Sequence, residues 1–498
     1  MIVNRAARLS AVTIALAMAG CAVGPDFHRP AAPTDSGYTP EPLRPQTASA
    51  KTRNGEAQQF EPERDIPGDW WTLFRSQQLN SLIEQSLHAN PDLDAAQAAL
   101  RQAQENVRAG QGALFPTIGA GIQAERQRFS GATFGEPNLN EVFSLVTPQL
   151  SLSYAPDVFG GTRRQIESLA AQAEFQRFEL EATYLTLTSN VVVAAVQEAS
   201  LRGQIAATQD IIKSQAQQLN IVRQRFTLGA ASQADVLTQE AQLAQTRTTL
   251  PPLQKQLAQT RNQLTALSGQ LPSHETSETF SLDSMHLPQD LPVSLPSQLV
   301  EQRPDVRAAE AQLHSASAEI GVATANQLPQ FTISGTVGSA ALGFSNLFAP
   351  GTGVWTIIGG VTQTLFDAGT LLHKKRAAVD AFDQTAAQYR STVIKACQNV
   401  ADALRALQSD ADAIVAQSAA ERSAFASLDL AQRQYQLGGI DYLTLLNAQR
   451  TWQQARISLV QAEANRYSDT AALFQALGGG WWHRSDVAPQ VADNAKRP

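Results

Sequence analysis

The chain has 498 residues, a net charge of −7 and a charged fraction of 17%, below the quarter or so usual for a soluble domain. Hydrophobic residues make up 43% but aromatics only 6%, which is low for a compact enzyme of this length; Ala, Gln, Ser and Thr fill the gap, as in close-packed helices with neutral faces. No basic block of the kind that tracks phosphates is present, which argues against a nucleic-acid partner.

Residues 1–20 read as a secretory signal, with Arg5 and Arg8 ahead of a short apolar run from Leu9 to Ala19. That run is about half the ~20 residues a spanning helix needs, so it is expected to be cleaved. Met18-Ala19-Gly20-Cys21 resembles a lipobox, although Met18 stands where Leu is more usual. Cleavage there would leave Cys21 as the first residue, carrying N-acyl and S-diacylglycerol lipid; an ordinary signal peptide with an incidental Cys is the alternative. Ala22 at mature position two, rather than Asp, implies an outer-membrane destination. Cys397 is then alone on a predicted helix, is expected to be a small core residue, and leaves no disulfide framework. Residues 21–66, rich in Pro, Thr and Ala, are expected to form an extended tether that buries little.

Two repeats follow, over 67–270 and 297–480. Asn90-Pro91-Asp92-Leu93 recurs as Arg303-Pro304-Asp305-Val306, and Phe115-Pro116 as Leu328-Pro329, both 213 residues on. Phe226-Thr227-Leu228-Gly229 recurs as Tyr435-Gln436-Leu437-Gly438 at 209, and Ala266-Leu267-Ser268-Gly269 as Ala476-Leu477-Gly478-Gly479 at 210. Each repeat is expected to run helix, strand, loop, strand, very long helix, turn, returning helix. No proline occurs between Pro156 and Pro251 or between Pro350 and Pro489. Leu180, Tyr184, Leu187 and Val191, then Leu219, Val222 and Phe226, recur at coiled-coil spacing. A helix from Thr162 to Phe226 would be roughly 100 Å long; its counterpart runs from Gly369 to Gln436. The expected return path is one helix from Ser232 to Ser268, a Pro-rich connection over 271–296, and a second helix from Ser297 to Gln327. Residues 481–498 form a C-terminal tail.

Strands are expected near 117–129, 144–155, 330–341 and 353–365. Ile118, Ala120 and Ile122 alternate with Gly119, Gly121 and Gln123, and Phe331, Ile333 and Val337 with Thr332, Ser334 and Thr336. Leu150, Leu152 and Tyr154 do so with Ser151 and Ser153; the fourth strand is less regular. Apolar-out, polar-in alternation suits a membrane barrel, and equally a half-buried soluble sheet. In lipid, four strands cannot close alone and open edges are not tolerated, so copies must pool strands. Two copies give eight, with a filled interior; three give twelve and leave a lumen.

Several motifs together resemble the TolC-type outer membrane factors, and within them the OprM/NodT-like lipoproteins. They are Cys21-Ala22-Val23-Gly24-Pro25-Asp26-Phe27-His28-Arg29-Pro30, Asp69-Trp70-Trp71, Arg303-Pro304-Asp305-Val306-Arg307, and Tyr442 through Arg450. The resemblance spans Cys21 to about Trp482. It implies a mainly α fold with a membrane β-barrel: a duplicated long-helix coiled-coil unit with four strands per chain. The homotrimer would form a twelve-stranded β-barrel continuous with an α-helical barrel. It also implies a periplasmic adaptor (membrane fusion) protein and an inner-membrane transporter as partners, outer-membrane lipid around the barrel, and no cofactor beyond the lipid on Cys21. The turns at Gly229 and at Gly438 and Gly439 would form the periplasmic tip, where the adaptor docks and an iris closes. Family members often carry a carboxylate ring just past the second turn. Here Asn447 occupies the matching position, with Thr444 in the same stretch. Asp441 and Asp235 are the candidates to supply acidity to this constriction; each reads equally as a solvated charge near a helix start.

There is no His-Glu-x-x-His spacing, no Gly-x-Ser-x-Gly turn and no phosphate-binding Gly-Lys-Ser/Thr loop, so no enzyme is expected. The expected function is the outer-membrane channel component of a tripartite efflux system. A trimeric structural or adhesin-like lipoprotein without conduction, and a duct for type I protein secretion, are the alternatives. Met285, the one methionine beyond the signal, argues against a thioether path for soft metals.

Overall fold

The computed structural model describes residues 22–52, 54–62, 64–130, 132, 135 and 140–484. Cys21, the signal sequence and residues 485–498 lie outside them. In chain order the elements are β1 (Gln59–Pro62), α1 (Gln77–Ala89), α2 (Pro91–Gly112), β2 (Thr117–Ser130), β3 (Asn140–Tyr154), α3 (Gly161–Thr227), α4 (Gln233–Thr248) and α5 (Leu250–Leu267). They continue with β4 (Asp290–Val293), α6 (Pro296–Gln302), α7 (Pro304–Ala325), β5 (Gln330–Ser339), β6 (Gly353–Thr362), α8 (Thr370–Gln436) and α9 (Tyr442–Ala476). The two long helices, α3 and α8, are 67 residues each. No described helix is long and apolar enough to cross a membrane.

The chain divides into two compact units, and α3 and α8 each contribute to both. Of the described residues, one unit comprises those up to Pro30, Ala99–Arg177 and Ala308–Tyr389; the other comprises Ala31–Ala98, Phe178–Arg307 and those from Arg390 on.

The first unit is built on an antiparallel sheet of order β2-β3-β5-β6. An aspartate starts the long helix on each side of it. Asp157 accepts from the backbone N–H groups of Thr162 and Arg163 at 2.9 Å. Asp367 accepts from Gly369 and Leu371 at 2.9 and 2.7 Å, and these bonds hold its carboxyl below the usual range. The stretch after Cys21 is stitched to this unit. Val23 donates to the Phe159 carbonyl at 3.0 Å, and Arg164 donates to the Val23 carbonyl and to Asp26. Phe27 stacks on His314 at 4.3 Å. Gly24 crosses α7 at Gly321 so closely that a Cβ on Gly24 would stand 2.4 Å from the Gly321 Cα.

The second unit has its core around Trp70, Phe74, Leu79, Leu82, Ile83, Tyr467 and Phe474, with Trp70 stacked on Phe474 and Phe74 on Tyr467. Here the expectation that the extended tether over 21–66 buries little is corrected. Residues 59–62 pair in parallel with 290–293, and Gln58, Phe60 and Ile66 are buried. The reason is Arg466, a fully buried guanidinium on α9 that requires acceptors. It takes Gln58 Oε1 at 3.0 Å, Thr47 Oγ1 at 3.2 Å and the carbonyls of Asn54 and Glu56, so the segment is held by these hydrogen bonds as well as by the buried Phe60 and Ile66.

Both return helices are also broken where single helices were expected. The first breaks at Thr249, because Pro251 and Pro252 in the first turn of α5 lack N–H groups to continue α4. The second breaks at Arg303, which takes an extended conformation ahead of Pro304; Asn90 does the same ahead of Pro91. The tail begins later than expected, since Trp481 is buried and Arg484 pairs with Glu181 at 2.9 Å.

Candidate functional site

Two features of the fold bear on function: the faces of the sheet and the pair of turns that end the long helices. Register assigns the faces. Ile118 pairs with Leu152 and Ala120 with Leu150; Leu150 pairs with Val337 and Leu152 with Gly335. Val337 pairs in turn with Trp355, Gly335 with Ile357 and Phe331 with Val361. Directly paired residues share a face, so these side chains form one apolar surface across all four strands. The other face carries Thr117, Gly119, Gln123, Gln149, Ser151, Ser153, Thr332, Ser334, Thr336 and Thr356. Val354 and Ile358 on β6, and Phe143 and Leu145 near the far end of β3, are apolar residues on that same face. The irregular look of the fourth strand in sequence comes from Ile358 and from Gly359-Gly360. Ile118, Ile122, Leu150, Val337, Trp355, Ile357 and Val361 are all exposed, and the outer edges of β2 and β6 have no strand partner among the described residues.

The two turns are near copies. Gly229 and Gly438 have φ of +76° and +77°, the left-handed region that glycine adopts without penalty. Ala230 N–H reaches back to the Arg225 carbonyl at 2.8 Å, and Gly439 N–H to that of Gln434 at 2.8 Å. This wider bond, beside the shorter ones from Gly229 and Gly438, is the Schellman closure of a helix end.

The structure brings the two turns together through Arg225. Its guanidinium lies 4.8 Å from the centre of the Tyr435 ring and donates to the carbonyls of Tyr435 and Gln436, both at 3.3 Å. A cation in the last turn of α3 thus satisfies the end carbonyls of α8. Beneath it, Val222, Leu428, Ala431, Tyr435, Tyr442 and Leu445 form a small core, with Tyr435 and Tyr442 edge to face at 5.5 Å. Phe226, expected in the helix seam, is instead 45% exposed, one residue before the helix ends.

The acids of this region are engaged as caps. Asp441 begins α9 and accepts from Thr444 N–H at 2.8 Å; its bonds with Thr444 hold its carboxyl below the usual range. Asp235 accepts from Ser232 N–H at 2.9 Å while its own N–H donates to Ser232 Oγ at 3.1 Å, a complete capping box. Thr444 and Asn447 are exposed on α9. Burial, with Tyr435 and Asp235 near it, pushes the Tyr442 hydroxyl up, so Asp235 of the first turn acts on a residue of the second.

Sequence reading missed Arg225 because the repeat offset pairs it with Gln434, an uncharged residue, so the duplication gives no signal there. Asp157 and Asp367 were findable: they stand 210 residues apart, at the offset of the other repeats.

The model of the outer membrane efflux protein family matches residues 82–270 and 295–479, the two repeats. The chain is 29% identical to the toluene efflux pump outer membrane protein TtgF of Pseudomonas putida over 495 residues, covering 97% of this chain and 98% of that one. It is also 29% identical to the cation efflux system protein CusC of Escherichia coli, covering 94% and 97%. Among solved structures, the outer-membrane channel OprN superposes with a TM-score of 0.84 at 28% identity, covering 93% of this chain and all of that one. The open-state MtrE outer membrane channel of Neisseria gonorrhoeae gives 0.78 at 26% identity, covering 93% and 99%. With its two repeats matched by the family model, its exposed apolar sheet face and these relatives along nearly its whole length, the chain belongs to the outer membrane efflux protein family and is an efflux component of the outer membrane.

Proposed function

We propose that this chain is the exit duct of a tripartite efflux system. Three copies pool their strands into a twelve-stranded barrel and their long helices into a helical wall. The observation that carries this reading is the four-stranded sheet, apolar on one face, small and polar on the other, with both outer edges unpaired among the described residues. In hydrocarbon every unpaired backbone group costs several kcal/mol, so both edges must find strands, and twelve strands leave a lumen where eight would be filled.

The remaining assignments belong to the same reading. Cys21 carries the lipid. The turns at Gly229, Gly438 and Gly439 form the periplasmic tip, which Arg225 holds closed through the α8 carbonyls. Leu228 and Leu437, 82% and 87% exposed, offer the adaptor an apolar contact on each turn. An inner-membrane transporter supplies the cargo. Asp441 and Asp235 set a cation preference at the constriction, beside Thr444 and Asn447. The chain itself catalyses nothing. Met285 is buried and offers no thioether at any surface, so small organic cargo fits better than a soft metal ion.

Native mass determination on detergent-purified protein tests the assembly. A mass of three chains is expected; two chains, or a lone folded chain, would contradict the twelve-strand barrel.

A further inference from the structure

The two hairpins of the sheet end differently. From Gln330 to Phe366 there is no Asp, Glu, Lys, Arg or His, whereas the β2–β3 hairpin carries Glu125, Arg126, Arg128 and Glu141. Register sets their heights. Beyond β5, Ala341 bridges to Val146, which pairs with Ala124 on β2. The whole stretch of β2 from Glu125 onward therefore stands past the level of Ala341, and the first charge of the sheet appears one residue beyond that level. From Phe331 to Ala341 the strand climbs about 33 Å, or about 25 Å along the normal at a tilt near 40°, the height of a lipid-facing band.

At this level the β5–β6 loop folds over one face. Ala341 and Val146 share the apolar face with Leu150, Val337 and Trp355, and Leu347 closes a buried cluster on them. Ser339, on that same face, donates its hydroxyl to the Leu347 carbonyl. The loop thus lies on the apolar side of the sheet. It still exposes Leu342, Phe344 and Phe348, at 68%, 66% and 91%.

We infer that residues 340–352 are a monolayer anchor, with Leu342, Phe344 and Phe348 seated in the outer leaflet at the boundary between headgroups and acyl chains. Three observations choose lipid as the occupant: continuity with the apolar face, coincidence with the last uncharged level of the sheet, and a loop without any ionisable group. Membrane barrels carry girdles of aromatic residues at this depth, and Phe344 and Phe348 have no polar group to keep in water. The inference rests on the barrel reading above, and it makes the two hairpins unequal. One grips the membrane surface; the other stands in water.

The test uses the full chain with Cys397→Ser, a single introduced cysteine labelled with bimane, and reconstitution into phosphatidylcholine vesicles. Labels are placed at Phe344 and, in a second variant, at Phe348; neither belongs to the Val146–Ala341–Leu347 cluster, so at least one should fold. Labels at Ile357, on the mid-sheet apolar face, and at Asn140, on the charged hairpin, serve as references. Lipids with a nitroxide near the headgroup should quench the two loop labels several-fold more than aqueous iodide does, with the reverse at Asn140. Iodide quenching equal to that at Asn140 would overturn the anchor. Quenching by neither agent would overturn it too, by showing the loop covered by a second copy. The Ile357 label separates the two ideas: quenching by deep nitroxides keeps the barrel reading whatever the loop does, and quenching by iodide alone removes both.

Discussion

Arg303 donates through Nη1 to the carbonyl oxygen of Ala476 at 2.9 Å, and in the first repeat Asn90 makes the equivalent bond to Leu267 at 3.0 Å. The residue before the proline in each repeat thus caps the end of the return helix of the same repeat. Two of the duplicated motifs, far apart in sequence, are the two halves of one joint. Arg303 also holds Asp305 with two bonds, at 2.9 and 2.6 Å. Replacing it with Ala would orphan the Ala476 carbonyl, at a cost of about 1–3 kcal/mol. Asn90→Ala orphans the Leu267 carbonyl in the same way and also removes the cap that Asn90 Oδ1 gives to Asp92 N–H at 2.9 Å, so its cost is of similar size, about 1–3 kcal/mol. Thermal unfolding in detergent should place both variants clearly below the parent protein; midpoints equal to the parent's would show that the joints do not bear on stability.

Gly321 admits no side chain. A Cβ there would stand 2.7 Å from Arg164 Cγ and 2.9 Å from the Val23 carbonyl oxygen. Gly321→Val is expected to expel residues 22–30 from their seat while the sheet remains intact. Limited proteolysis should then cut in that stretch far faster than in the parent protein. Unchanged protection would mean the segment is held by Phe27, Arg29 and Asp26 alone.

Asp410 should make stability fall as pH rises from near 3.8 to about 7. Burial and the neighbouring Asp469 push its carboxyl up to about 7, against an ordinary value near 3.8. A carboxyl raised in the folded state binds more protons there than in the unfolded chain, so its contribution is full below the unfolded value. It is lost as pH rises toward 7. Asp410→Asn should therefore raise the melting midpoint at pH 8 and leave it nearly unchanged at pH 4. A rise of equal size at both pH values would point to packing rather than titration.

Asp441 behaves in the opposite sense. Its carboxyl is held below the ordinary range by Thr444, so its support for the start of α9 is present above the unfolded value and is lost as pH falls through the lowered one. If Asp441 and Asp235 also supply the constriction charge, the double Ala variant should lose cation preference at neutral pH. Unchanged selectivity would restrict both residues to capping.

Much of the architecture is legible in the sequence because it rests on periodicity and on glycine. The long proline-free windows, the duplicated Leu-Gly turns and the alternation in 117–123 and 330–337 each follow from local chemistry. What escapes is set by single buried polar groups. Arg466 turns a Pro-rich stretch into packed structure because an interior guanidinium must collect acceptors, and no composition rule reveals where it points. Arg225 escapes for a similar reason: a helix-end arginine is ordinary until a second helix end is seen beside it. The breaks at Thr249 and Arg303, by contrast, are marked in the sequence by Pro251, Pro252 and Pro304.

In the proposed duct, conduction is gated at the paired turns. Single-channel recording of the purified trimer in a planar bilayer tests it most directly, with the parent protein and Arg225→Ala compared side by side. The expected result is small, cation-preferring openings in the parent and roughly an order of magnitude more open time in the variant, since loss of two hydrogen bonds of about 1 kcal/mol each permits a change of that size. A correctly assembled trimer that conducts in neither form would contradict the duct and leave a structural lipoprotein.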